Sequence, residues 1–192
     1  MNEEHAALCS SPEWAEFLQI EVLSPLLSDI ELGPSLIEVG PGPGAATDWL
    51  RHRAEKLTAV EAEAPAAEKL VERFPDVDVQ HGDASALEFG DGTFDAAATF
   101  TMLHHVPTRE LQDKVLAELV RVVRPGGVIV GGDSIHSERL QEFHAGDIYN
   151  PIAPGYLLDR LRELGCDRVS VAVNGRMSFV AHKPDPTTSE GA

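Results

Sequence analysis

A glycine collar, three carboxylates and a histidine pair are the residues of this chain whose types and spacing suit chemistry on a nucleotide-like ligand. The collar is Gly40-Pro41-Gly42-Pro43-Gly44, and it follows the apolar run Leu36-Ile37-Glu38-Val39, which carries an acid inside it. Glycine has no Cβ, so the backbone can turn sharply and approach a ligand at distances that a side chain would block. Pro41 and Pro43 fix φ and remove N–H donors, which leaves the loop pre-shaped. Roughly twenty residues on, at the interval a ribose-binding acid keeps from such a loop, Glu61 closes a second strand candidate, Leu57-Thr58-Ala59-Val60-Glu61. A carboxylate there can accept from both hydroxyls of a ribose.

An adenosine-like ligand is therefore implied, and the spacing alone fits two cofactor families. Gly40, Gly42 and Ala45 satisfy the dinucleotide pattern G-x-G-x-x-[G/A], while Glu38 ahead of Gly40, Gly42 and Gly44 spells E-x-G-x-G-x-G. Further along, Gly82-Asp83-Ala84 closes a third strand candidate, Val77-Asp78-Val79-Gln80-His81. Phe94-Asp95 opens a fourth, and Arg121-Val122-Val123-Arg124-Pro125-Gly126-Gly127 forms a turn before a fifth.

In this order and spacing the chain resembles the class I S-adenosylmethionine-dependent methyltransferases over residues 35–182. Within that family it is similar to the small enzymes carrying T-M-L-H-H-V after the fourth strand, here Thr101-Met102-Leu103-His104-His105-Val106. The resemblance implies S-adenosyl-L-methionine as cofactor. It assigns Gly40, Pro41, Gly42 and Gly44 to the methionyl and ribose portion and Glu61 to the ribose diol, with the adjoining Ala62 also among the cofactor-binding residues. Asp83 falls to the adenine amino group with the Ala84 N–H on the ring, the Thr99–Phe100 backbone to the amino-acid end, and Glu38 to orienting the loop or the cofactor ammonium.

His104 and His105 follow the fourth strand, where a general base would stand if the acceptor has a proton to lose. Asp133, His136, His144 and Tyr149 follow the fifth strand and are the expected lining of an acceptor pocket, with Trp14 contributed from a helix that precedes the sheet. Their spacing is not that of a compact metal motif, and the metal-assisted catechol-type relatives need an acid where this chain has Thr99-Phe100-Thr101, so no metal is expected. The N/D-P-P-Y/F motif of adenine- and glutamine-modifying relatives is absent. Tyr149 and Tyr156 lack a lysine four residues on, which ranks a nicotinamide-dependent reductase low. A protein that binds S-adenosylmethionine without transferring methyl stays as the other alternative.

With 192 residues and a net charge of −17, the chain suits one domain and would be repelled by phosphate backbones and anionic lipid. The expected acceptor is a small molecule, with no nucleic-acid or membrane partner and no reading of oligomeric state. Cys9 and Cys166 form neither a metal spacing nor a disulfide framework, and the acidic N-terminal residues are unlike a secretory leader, so a cytoplasmic location is expected. Strand and helix patterns alternate. They give an α/β, Rossmann-like sheet of seven strands with helices on both faces, which the resemblance orders 3-2-1-4-5-7-6 with the seventh strand antiparallel. Asn174-Gly175 marks the final hairpin. Residues 1–183 form the domain, with an N-terminal helix over 10–27 as a lid over the substrate, and 184–192 form a flexible tail.

Overall fold

Every residue from Leu36 to Val39 is buried, as is every residue from Ala96 to Phe100. Strands so enclosed on both faces belong at the centre of a parallel sheet. The computed structural model describes residues 2–186. Its sheet comprises β1 (Ser35–Val39), β2 (Lys56–Glu61), β3 (Asp78–His81), β4 (Phe94–Phe100), β5 (Val123–Asp133), β6 (Asp167–Val173) and β7 (Met177–His182). They lie in the order β3-β2-β1-β4-β5-β7-β6. The first five run parallel to one another, whereas β7 runs antiparallel to both β5 and β6. This is the arrangement expected from the sequence.

Alternation along the strands divides the interior in two. Ile37, Ala97 and Ile129 meet Val115, Leu116 and Leu119 of α6 (Arg109–Val122) and Leu157 and Leu161 of α8 (Pro154–Glu163). Leu36, Ala98 and Val130 point the other way, onto Leu70 of α5 (Ala64–Arg73) and onto the N-terminal helices.

Those N-terminal helices differ from expectation. A helix over residues 3–9, α1 (Glu3–Cys9), was not foreseen; its N-cap, Asn2, accepts from the His5 N–H. The next, α2 (Pro12–Leu18), starts at Pro12 rather than at residue 10, with Ser11 accepting from the Trp14 N–H at 3.1 Å. Proline favours the first helical position, and the Ser10 hydroxyl instead donates to Ala6 O, closing α1. Between α2 and α3 (Ser24–Leu27), residues Gln19–Leu23 form a π-turn in which the Ser24 N–H reaches back to Gln19 O. Pro25 follows and has no N–H with which to continue a regular ladder.

After the collar, α4 is a single turn (Thr47–Leu50), and α7 (Glu138–Phe143) is capped by Ser137. Of the expected tail, Pro184–Pro186 are described, with Asp185 beside Gly126; 187–192 lie outside the described residues. Among the described residues no helix is long and apolar enough to cross a membrane.

Candidate functional site

The collar sits at the carboxyl end of β1, where open α/β sheets gather their ligands. Gly40 and Gly42 take φ of +65° and +55°, a region that costs an L-residue roughly 1–2 kcal/mol. A Cβ on Gly40 would come within 2.1 Å of Met102 Cγ, whereas one on Gly42 would meet nothing within 4 Å. Gly40 is thus constrained by packing, and Gly42 by backbone geometry at an open edge.

The adjoining acids are held in three different ways. Glu61, at the end of β2, accepts from the Gly42 N–H at 3.0 Å on one oxygen and from the Glu63 N–H at 3.0 Å on the other. Each oxygen keeps a lone pair for a ligand hydroxyl. Glu38 is buried and accepts from the Thr47 hydroxyl at 2.7 Å. Burial pushes its carboxyl up to about 7, with the Thr47 hydrogen bond opposing and the Glu61 charge adding. Asp83 is exposed, and the Ser85 N–H fixes its Oδ1 at 2.7 Å.

A cavity of about 630 Å³ opens over these strand ends, within the range of small-molecule and cofactor sites. Of the expected residues, Gly40, Pro41, Gly42, Glu61 and Ala62 line it, as do Asp83, Ala84 and Phe100; Trp14 and His105 complete the set. Glu38, Gly44 and Thr99 stand behind the wall. The rest of the lining is largely apolar: Leu18, Met102, Val106, Leu111, Val115 and Ile148. Leu111 and Val115, one helical turn apart on α6, carried a signal the motif reading passed over. Thr101, at φ +53°, also lines it.

On the acceptor side the expected residues stand apart from this cavity. Asp133, His136, His144 and Tyr149 are not in that wall. Asp133 is turned inward, 2.5 Å from His104 Nδ1, and His144 lies stacked on Tyr149 at 4.6 Å between ring centroids. His136 is 6.3 Å from Tyr149 by the same measure. His104 also lies outside the wall and faces a smaller adjoining cavity of about 120 Å³, with His5 and His144. Burial lowers His5 to about 4 and His105 to about 3, the neighbouring imidazoles acting in the same direction.

A doubly wound sheet whose glycine collar and strand-end acids converge on one cavity defines an adenosyl-cofactor-binding, Rossmann-like protein. Residues 37–131 match the family described as a methyltransferase domain, and the chain belongs to the class I S-adenosylmethionine-dependent methyltransferases. It is 31% identical over 104 residues to the demethylmenaquinone methyltransferase of Renibacterium salmoninarum, an alignment covering 54% of this chain and 43% of that one. It is 38% identical over 72 residues to the ribosomal RNA small subunit methyltransferase A of Cupriavidus pinatubonensis, covering 37% and 24%. The chain therefore spans under half the length of these curated relatives. Among solved structures, a methyltransferase of Aquifex aeolicus dependent on S-adenosylmethionine superposes with a TM-score of 0.71 at 18% identity, covering 95% of this chain and 98% of that one.

Proposed function

We propose that this protein passes a methyl group from S-adenosyl-L-methionine to a small, largely apolar acceptor. The observation that carries the reading is the continuity of one cavity, which joins Gly42, Glu61 and Asp83 to the apolar surface of Leu18, Met102, Val106 and Ile148. The residues fit the cofactor: the open edge at Gly42 admits close backbone approach, and Glu61 retains acceptor capacity for a ribose diol after its two main-chain bonds. The bound cofactor would supply an activated methyl on a sulfonium. The chain's part is then to align the acceptor and exclude water.

His104 and His105, expected as bases, take no proton in this reading. His104 is engaged with Asp133 away from the main cavity, and His105 is held far below the near-neutral range that suits a base. The N-terminal segment acts as the lid, since Cys9, Trp14 and Leu18 supply one wall. The net charge of −17 favours a small acceptor over RNA, the substrate named for the Cupriavidus relative, because a polyanion would be repelled.

Calorimetry with S-adenosylhomocysteine, followed by a screen of small apolar hydroxyl, amine, thiol and carbanion acceptors for S-adenosylhomocysteine release, tests the reading. Binding plus turnover with one acceptor class is expected. Absence of S-adenosylhomocysteine binding, with NADH raising the melting temperature instead, overturns it; binding with turnover on RNA alone overturns the acceptor class.

A further inference from the structure

Four histidines far apart in the chain meet beneath the N-terminal helix. His5 comes from α1, His104 and His105 from the turn after β4, and His144 from the C-cap of α7. One nitrogen from each can be chosen so that all four lie within 4.8 Å of one another. His5, His104 and His144 are buried. We infer that these imidazoles form a binding site for a single divalent transition cation, with zinc the ion best suited to the ligand count.

The surroundings carry the inference beyond mere proximity. A metal-bound imidazole generally gives its second nitrogen to a carboxylate or carbonyl, which fixes the ring and raises ligand basicity. Two of the four rings have such a group hydrogen-bonded on Nδ1. Asp133 lies on His104 at 2.5 Å and the Leu140 carbonyl on His144 at 2.7 Å, while His5 Nδ1 stands 3.5 Å from Asp147 and is buried with no hydrogen-bond partner. In His104 and His144 this leaves Nε2 for the cation. The Nε2 of His144 is buried with no hydrogen-bond partner, an arrangement that costs free energy unless something accepts its lone pair. Two carboxylates beside four neutral ligands also balance a 2+ charge.

Imidazole nitrogens suit zinc and its late first-row neighbours. A tetrahedral site with bonds of about 2.0–2.1 Å sets its nitrogens roughly 3.3 Å apart, so the ligand atoms, now within 4.8 Å of one another, would draw closer around the cation. Four protein ligands leave no open position, which is the form of a structural site. Its consequence is mechanical: the cation would clasp α1 to the β4 and α7 loops and so fix one wall of the main cavity. The proposal needs no cofactor and stands apart from the methyl-transfer reading.

The test uses the full chain without a polyhistidine tag, stripped with a chelator and titrated with Zn²⁺ by calorimetry and with Co²⁺ by visible absorption. One equivalent per chain, tetrahedral Co²⁺ bands and a higher melting temperature with metal are expected. His144→Ala and His5→Ala should each lose at least roughly 100-fold in affinity, exceeding the 10–100-fold typical of an outer-shell change such as Asp133→Asn. His52→Ala, on the exposed surface, should bind as wild type. Absence of stoichiometric uptake by the wild-type protein overturns the proposal whether or not the variants fold, as does unchanged affinity in folded His5→Ala. Retained S-adenosylhomocysteine binding in a chain that takes up no metal would sink the clasp alone and leave the cofactor reading intact.

Discussion

The Gly42 N–H donates to Glu61 Oε2 across 3.0 Å, so the collar after β1 and the acid after β2 are parts of one hydrogen-bonded unit. Glu61 serves the loop as well as any ligand. Glu61→Ala should therefore weaken S-adenosylhomocysteine binding by about 1.5–3 kcal/mol, the worth of a charged hydrogen bond, which is roughly 10–150-fold in Kd. Calorimetry at fixed ionic strength checks this, and unchanged affinity would remove Glu61 from the site.

Gly40 and Gly42 share a left-handed backbone but not their surroundings, and alanine at the two should behave differently. Gly40→Ala adds a methyl against Met102, so it should destabilise by more than the roughly 1–2 kcal/mol of backbone strain alone. Gly40→Ala/Met102→Ala should recover only part of the excess and none of the strain, since the Cβ of residue 102 would still stand 2.9 Å from the new methyl. Gly42→Ala meets no neighbour and should cost only the strain, yet weaken S-adenosylhomocysteine binding about 10-fold or more, because its methyl fills the edge where the ligand approaches. Urea titrations paired with calorimetry separate the two; equal effects on stability and binding at both positions would contradict the assignment.

Glu38 gives the protein a pH signature of known sign. Its folded pKa is raised from 4.5 to about 7 by burial, so the folded chain holds more protons than the unfolded chain between those values. Its cost to stability is absent below about 4.5, grows through the window and is constant above about 7. Glu38→Gln removes that titration while retaining an acceptor for Thr47. Relative to wild type, the variant should gain stability between pH 4 and pH 8 by an amount on the order of 3 kcal/mol, at about 1.4 kcal/mol per unit. Denaturant midpoints at a series of pH values provide the check, and parallel curves for the two proteins would refute the buried-carboxylate account.

The parts of this molecule legible in sequence are those where local chemistry and global position coincide. Gly40 to Gly44, Glu61 and Asp83 each sit at a strand end, and a strand end is set by local pattern, so naming the motif also located the residue. Asp133, His136, His144 and Tyr149 were assigned to the acceptor pocket from proximity to β5 alone. Nothing local could say that Asp133 turns inward to His104 or that Tyr149 lies against His144 rather than the main cavity. The four-histidine cluster was hidden for the same reason, being made from three segments separated by long stretches of chain. The acceptor wall of Leu18, Met102, Val106 and Ile148 carried no motif, since apolar residues of a cavity and of a core look alike in sequence.

Thr101 closes the set, because its conformation has no apparent local cause. It is β-branched, yet it takes φ +53°, in a region disfavoured for such side chains. Its N–H donates to Gly132 O at 2.7 Å, which ties the strained residue to β5, and it lies in the walls of both cavities. Strain of this kind, of order 1–3 kcal/mol, persists where surrounding structure over-determines it and gathers at functional sites. Thr101→Gly removes the Cβ penalty but frees the unfolded chain, a loss of about 0.5–1 kcal/mol, so a net gain of about 1 kcal/mol is expected. S-Adenosylhomocysteine binding should weaken in the same variant, since the turn loses its single preferred geometry beside Phe100. A variant less stable than wild type would mean that contacts of the threonine methyl and hydroxyl, rather than over-determination by β5, hold this conformation in place.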